Sequence, residues 1–229
     1  MKKILIWLFC CLFSEFVSAQ TDVTKFMGIP VDGRKQEMVK KLEAKGFELK
    51  PGSNDILQGE FNGMQVDLHI VTQKDKVYRI MVVEQNMFDA PEIKTRYNNL
   101  CLQFSRNKRY TIFADSIDNY FISDEEDLDY EMQVNGKRYQ ALFIQMPENI
   151  DTTAIARELE SELKKEYTEE ELKNFSQEQK EQLIIKLTTR AMNYFSKRQV
   201  WVSIANLYGK YVLLIYYDNK FNEANGEDL

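Results

Sequence analysis

The 229-residue chain contains one His, three Cys, two Trp, four Pro and nine Gly. A single imidazole excludes every site built on several, which removes most zinc and copper chemistry and di-His clusters. No Gly-rich phosphate loop, G-x-S-x-G elbow or H-E-x-x-H pair occurs. The usual signatures of phosphate binding, serine hydrolysis and zinc proteolysis are therefore missing. A basic excess is lacking too: 30 Lys+Arg stand against 36 Asp+Glu, giving a formal charge of −6 and a pI near 5.1. Phosphate binding needs a concentrated basic face, so nucleic acid is not an expected partner. At 44% hydrophobic and 29% charged residues, the composition is that of a globular protein and not of a disordered one. No cofactor is implied.

What is present begins at the N-terminus. Lys2 and Lys3 precede an unbroken apolar run from Ile4 to Phe13, followed by Ser14, Glu15 and the triplet Val17-Ser18-Ala19. A basic start, a short apolar run and a small-residue stop read as an export signal, residues 1–19, with Ala19 the last residue removed. Ten apolar residues give only about 15 Å of helix, roughly half the hydrocarbon thickness, so a membrane anchor is rejected. A lipidated Cys would need a small residue before it, and Cys10 follows Phe9. Export without Cys10 and Cys11 leaves Cys101 alone, so no intramolecular disulfide is available and stability rests on an ordinary core. The expected location is the periplasm or the extracellular space, and no later run spans a membrane.

Periodicity outlines an α+β fold. Asp32-Gly33 opens a helix with apolar Met38, Val39 and Leu42, ended by Gly46 with Phe47 packing back. Strands are expected at 47–50, 56–61, 64–71 and 77–84, the middle pair joined by Asn62-Gly63. Asp89, Pro91 and Glu92 start a second helix whose stripe is Ile93, Tyr97, Leu100, Cys101 and Phe104. A second Asn-Gly hairpin is expected over 129–134 and 137–145. Counted from each Gly, Val66, Leu68 and Ile70 match Tyr139, Ala141 and Phe143. The two hairpins suggest antiparallel sheets built from helix-plus-hairpin units, a degenerate duplication covered by helices on one face. The expected modules are 20–110 and 111–218, the second with a helical insertion. Within that insertion a charged helix covers 152–167, and Thr168 and Ser176 cap two more. The last has a core stripe of Leu183, Ile184, Leu187, Ala191, Tyr194 and Phe195. Strands 200–207 and 211–218 follow, and 219–229 form a loose polar tail.

Few residues could carry chemistry. Cys101 and His69 are the only thiol–imidazole pair, but alternation puts His69 opposite Val66, Leu68 and Ile70, with Cys101 inside a helix stripe. A sheet would then separate them, and the residues read as structural. The acidic run supplies Asp124, Glu126 and Asp127 as calcium candidates, although no EF-hand spacing is present and charge runs usually form solvated surface. Aromatics crowd the second half, and Tyr130, Tyr139, Trp201, Tyr208 and Tyr216 are the candidate partner-binding side chains. Such rings offer contact area at small entropic cost, although strand propensity alone also explains them.

The segments Phe26-Met-Gly-Ile-Pro-Val-Asp-Gly33, Gly59-Glu-Phe-Asn-Gly63, Lys76-Val-Tyr-Arg-Ile80 and the tail from Tyr217-Asp-Asn to Leu229 resemble a group of uncharacterised exported proteins of Bacteroidota. That resemblance implies export and an α+β fold. The helix-then-strands arrangement is similar to tandem modules of the β-lactamase-inhibitor-protein type, an analogy of topology alone. The expected function is a non-catalytic binding or accessory module that engages an envelope or extracellular protein. A small-ligand or lipid carrier with a cavity between sheet and helix is the alternative, and a carboxylate-based hydrolase ranks last.

Overall fold

A computed structural model describes residues 22–147, 161 and 163–224. The export-signal reading and most of the 152–167 helix fall outside these residues. The elements in chain order are β1 (Lys25–Phe26), β2 (Ile29–Pro30), α1 (Lys35–Glu43), β3 (Glu48–Leu49), β4 (Ile56–Phe61), β5 (Met64–Gln73), β6 (Lys76–Glu84), α2 (Ala90–Arg106), β7 (Tyr110–Ile112), α3 (Leu128–Gln133), β8 (Gln140–Gln145), α4 (Glu169–Lys173), α5 (Gln177–Phe195), β9 (Arg198–Leu207) and β10 (Lys210–Asn219). The class is α+β, with eight strands in one antiparallel sheet ordered β3-β4-β5-β6-β10-β9-β8-β7. Each half of that sheet is a meander preceded by a helix, and the two meanders meet where β6 pairs with β10.

Local chemistry fixes the first half. Gly46 at φ +94 lets Phe47 N–H donate to Leu42 O and Gly46 N–H to Glu43 O, a Schellman stop for α1. Phe47 is thereby folded back over Gly59, whose missing Cβ would sit 2.6 Å from the Phe47 ring. In β5, Val66, Leu68 and Ile70 are buried while Asp67 and His69 are half-buried. Register shifts between Val71 and Thr72, with one extra residue on β6. This bulge explains how Val77 and Ile80, three residues apart, are both buried. α2 begins as expected, with Asp89 N–H donating to Glu92. All five residues of its stripe are buried.

One apolar cluster joins these parts. It contains Met38 and Leu42 of α1, the α2 stripe, and Leu57, Leu68, Ile80, Tyr217, Val200 and Phe143 of six different strands. Phe26 of the small β1–β2 hairpin is wholly buried between Phe47, Phe61 and Tyr217, with ring centroids 5.0–6.2 Å away. Its hairpin is held at the seam between the halves. Gln145 bonds both backbone groups of Lys25, Thr24 donates to Asp218 O at 2.5 Å, and Asn219 donates to Val31 O.

Three expectations need correction. The second Asn-Gly is no hairpin: Asp127 caps α3 by accepting from Tyr130 N–H, and the helix ends through bonds from Val134 and Asn135 N–H to Tyr130 O. A good N-cap with acidic residues in the first turn stabilises helix over strand here. Ala141 and Phe143 therefore lie on β8, the second strand of its meander, with Tyr139 just before it, whereas Val66, Leu68 and Ile70 lie on β5, the third of its own. The tail is not loose from its start, since Asn219 closes β10 and Asn222 donates to Asp32 and to Val77 O. In α5, Ile184 is exposed and Leu183, Leu187 and Phe195 are partly exposed, so none of these four expected stripe residues joins the buried cluster.

Substituting Gly59→Ala should destabilise the fold by about 1–3 kcal/mol, because the new methyl overlaps the Phe47 ring. Urea denaturation should show a lower midpoint with an unchanged slope, and an unaltered midpoint would contradict the packing described.

Candidate functional site

The face of the sheet opposite the cluster carries the side chains that alternate with the buried ones. Pairing of β5, β6, β10, β9 and β8 lines up His69, Met81, Tyr216, Trp201 and Leu142 as successive cross-strand partners. None of these five is fully buried. Cross-strand partners on one face have Cβ atoms about 4.5–5.5 Å apart, so this row is a continuous strip of imidazole, thioether, phenol, indole and isobutyl groups. The strip contains two of the expected partner-binding residues, Trp201 and Tyr216.

Charged groups border the strip in compensated pairs. In the next row Arg79 and Asp218 are direct partners across the β6–β10 seam. Arg79 Nε and Nη2 donate to the two Asp218 oxygens at 2.6 and 2.7 Å, a bidentate pair, and the guanidinium lies 4.9 Å from the centre of the Tyr216 ring. Asp218 is 1% exposed. Its hydrogen bond holds the Arg79 pKa above the ordinary guanidinium value against the opposing effect of burial. On the other side, Asp67 accepts from Lys50 Nζ at 2.5 Å and from Gln85 at 2.7 Å. Trp201 Nε1–H donates to Gln199 at 3.1 Å. The strip is thus apolar and aromatic at its centre, with net-neutral polar borders.

The other expected residues are scattered. Tyr139 is 5% exposed, with its hydroxyl donating to Glu126 at 2.5 Å, so it offers no surface for a partner. Tyr130 is exposed on α3, and Tyr208 is fully exposed at the β9–β10 turn, away from the strip. The calcium candidates do not converge. Glu126 accepts from Lys137 and Tyr139, Asp127 caps α3, and Asp124 offers its backbone oxygen to Lys94. Among the described residues, no group of three or more His, Cys, Asp and Glu is placed to share a metal ion.

Cys101 and His69 stand as alternation implied. Cys101 is wholly buried beside Tyr97 in the helix-side cluster, and His69 lies between Leu68 and Ile70 with its side chain toward the outer face. Burial pushes the Cys101 thiol up to about 12 despite a hydrogen bond with Tyr97. Such a thiol is neutral and unreactive at neutral pH. Between α2 and the sheet lies a cleft of about 160 Å³ lined by residues including Phe61, Leu100, Phe104, Tyr110 and Tyr217.

Reading the residues alone missed His69, Met81, Leu142 and the Arg79–Asp218 pair as neighbours of Trp201 and Tyr216. The available signal was alternation in β6 and β10. Nothing local to either segment says that they pair. No helix among the described residues is long and apolar enough to cross a membrane. Comparison with protein-family models, curated proteins and solved structures finds no match to this chain.

Two outcomes follow. Replacing Arg79 with Leu leaves Asp218 buried with the more distant Lys220 at 3.9 Å, and should cost about 3 kcal/mol. Arg79→Leu combined with Asp218→Asn should recover part of that loss in urea titrations, and additive losses would refute a coupled pair. Stability should also fall in alkali. Desolvation, then Asp129, raises Tyr211 from 10.0 to about 12, and Cys101 rises from 9.0 to about 12. Above pH 9–10 the unfolded chain loses these protons first, so folding stability declines from there toward pH 12. Melting temperatures measured across this range should drop, whereas a flat profile would contradict the burial of these groups.

Proposed function

We propose that this protein is an exported, non-catalytic binding module whose outer sheet face engages another protein of the envelope or the extracellular space. The observation that carries the reading is the five-strand row of His69, Met81, Tyr216, Trp201 and Leu142. Flat aromatic and thioether groups at the centre of a patch, with polar groups around them, match the composition of protein interfaces. The pairing of Arg79 with Asp218 and of Lys50 with Asp67 leaves the borders neutral, so the partner face should be largely uncharged opposite them. The sheet supplies rigidity, which keeps the entropic cost of binding low. The basic start and apolar run before Val17-Ser18-Ala19 support export.

A carrier role built on the cleft between the long helix α2 and the sheet has less support, because its volume of about 160 Å³ falls below the roughly 300–1,000 Å³ of ligand pockets.

The test is a comparison of variants. The mature chain and its Met81→Glu and Trp201→Ser variants, each checked for native melting, would be immobilised and exposed to envelope extract from the source cells. The same protein should be retained by the native chain and reduced at least about tenfold by each variant, as expected for central interface residues. Equal retention by all three, or no retained protein, would defeat the reading.

A further inference from the structure

We propose that the open edge of the sheet at β3 receives an extended peptide segment of a partner protein. The segment adds as a short antiparallel strand and places an apolar side chain in the groove between β3 and α1. This site is on the helix side of the first meander, apart from the outer-face strip, and it does not depend on the role assigned to that strip.

The pairing of β3 with β4 leaves a backbone donor and acceptor facing outward. β3 is a terminal strand of the sheet, with Glu48 opposite Gln58 and Leu49 opposite Leu57. One position further on, Lys50 N–H donates to Ile56 O at 2.8 Å. Bonded and non-bonded pairs alternate in an antiparallel ladder, so Leu49 and Leu57 form a non-bonded pair. The N–H and C=O of Leu49 therefore point away from β4, to the side where no further strand lies among the described residues. An outward donor and acceptor of this kind are the groups that strand addition uses. β3 has only two residues, and Pro51 follows closely. The edge is thus too short for open-ended pairing between sheets, and it suits one short segment.

The side chains beside that edge supply apolar contact. Leu57 is 1% exposed in the core, and cross-strand partners share a face, so Leu49 is on the helix side too. There it is 51% exposed, because α1 packs chiefly on β5 and β6 and the helix layer stops short of β3. A groove of about 630 Å³ results, with Val39 of α1, Leu49 and Leu57 as its apolar lining. That volume lies within the roughly 300–1,000 Å³ of ligand sites. The start of α1, the β3–β4 loop and the β5–β6 turn add polar groups. Arg34 and Asp75 stand 3.5 Å apart there, and Lys35 pairs with Asp55. These charges cancel, and Glu43 leaves the lining with a net negative charge, which selects against a phosphate or a fatty-acid carboxylate. An acyl chain also has no group to bond the Leu49 N–H and C=O. A peptide meets both conditions. The residue that bonds Leu49 has its own side chain on the helix side, in the groove, as do the residues two before and two after it. The segment that fits therefore alternates apolar with polar residues and has an apolar side chain opposite Leu49.

The probe is a fluorescein-labelled peptide, Ser-Val-Thr-Leu-Thr-Val-Ser, blocked at both ends and measured by anisotropy against the purified chain. Binding should saturate and should change by less than about twofold between low and physiological ionic strength. Methylating the amide nitrogen of the central Leu removes the donor that faces Leu49 O and should lose about tenfold in affinity. Leu49→Ser should lose a similar factor through the apolar contact. The Leu49 side chain is half-exposed, so this variant folds, and circular dichroism checks it. Tyr208→Ser, an exposed substitution at the β9–β10 turn, should leave binding unchanged. The rearranged peptide Ser-Val-Leu-Val-Thr-Thr-Ser has the same composition without the alternation, and should bind about fivefold more weakly or less. Absent binding, equal binding of the methylated or the rearranged peptide, or an equal loss in Tyr208→Ser would overturn the proposal. Displacement of the peptide by decanoate would overturn it in favour of an acyl chain. A Leu49-dependent dimer in sedimentation would overturn it in favour of a second copy.

Discussion

The antiparallel pairing of β6 with β10 is the constraint on which the molecule depends. It runs from Val83 opposite Leu214 to Arg79 opposite Asp218, and it joins two meanders that are otherwise separate along the chain. One end of the seam carries the bidentate Arg79–Asp218 pair. A carboxylate that is 1% exposed must be matched by a cation with good geometry, so this pair specifies register as well as contact. A slip of one residue would leave Asp218 without its partner and would turn every core side chain of β10 toward solvent. The seam therefore decides both what is buried and which side chains meet on the outer face.

Both ends of the described chain are fastened to the same seam. The β1–β2 hairpin inserts Phe26 among Phe47, Phe61 and Tyr217, residues from both meanders. Asn219 and Asn222 return from the end of β10 to hold Val31, Asp32 and Val77. Buried Asn219 satisfies both a C=O, that of Val31, and an N–H, that of Phe221, where irregular backbone meets the sheet. Gln145 of β8 does this for Lys25, two strands from the seam. The closure couples residues nearly 200 positions apart, so the last strand is required for the first segment to settle.

Division of labour between the two faces follows. The helix side is buried, and it holds the Cys101 thiol in a form without nucleophilic character. The outer face keeps half-exposed aromatics in a fixed row because neighbouring strands hold them, with no loop involved. A rigid scaffold of this type lends itself to recognition, since little ordering is left to be done on contact. The acidic segment after β7 is also anchored. Asn98 exchanges two hydrogen bonds with the Ile122 backbone, and Lys94 fixes Ser123 and Asp124, so its carboxylates are displayed from a defined path.

Much of the fold was legible residue by residue. The α1 stop at Gly46, the Asp89 start of α2 and the Asn62-Gly63 turn all depend on interactions within a few positions, and the structure has each of them. The side of His69 relative to Leu68 also follows from the two-residue period of a strand. The Asn135-Gly136 hairpin was misread because the same dipeptide also follows a helix, and the Asp127 cap decided between them. Composition and alternation by themselves determined an α+β protein with a buried Cys101, an outward His69 and no multi-imidazole site. Only the tertiary structure decided that Tyr216 stands between Trp201 and Met81, that Tyr139 is buried, and that Arg79 neutralises Asp218. The Met81 and Arg79 contacts come from pairing between segments more than 100 residues apart, whose energy lies in joint burial and has no signature in either segment alone.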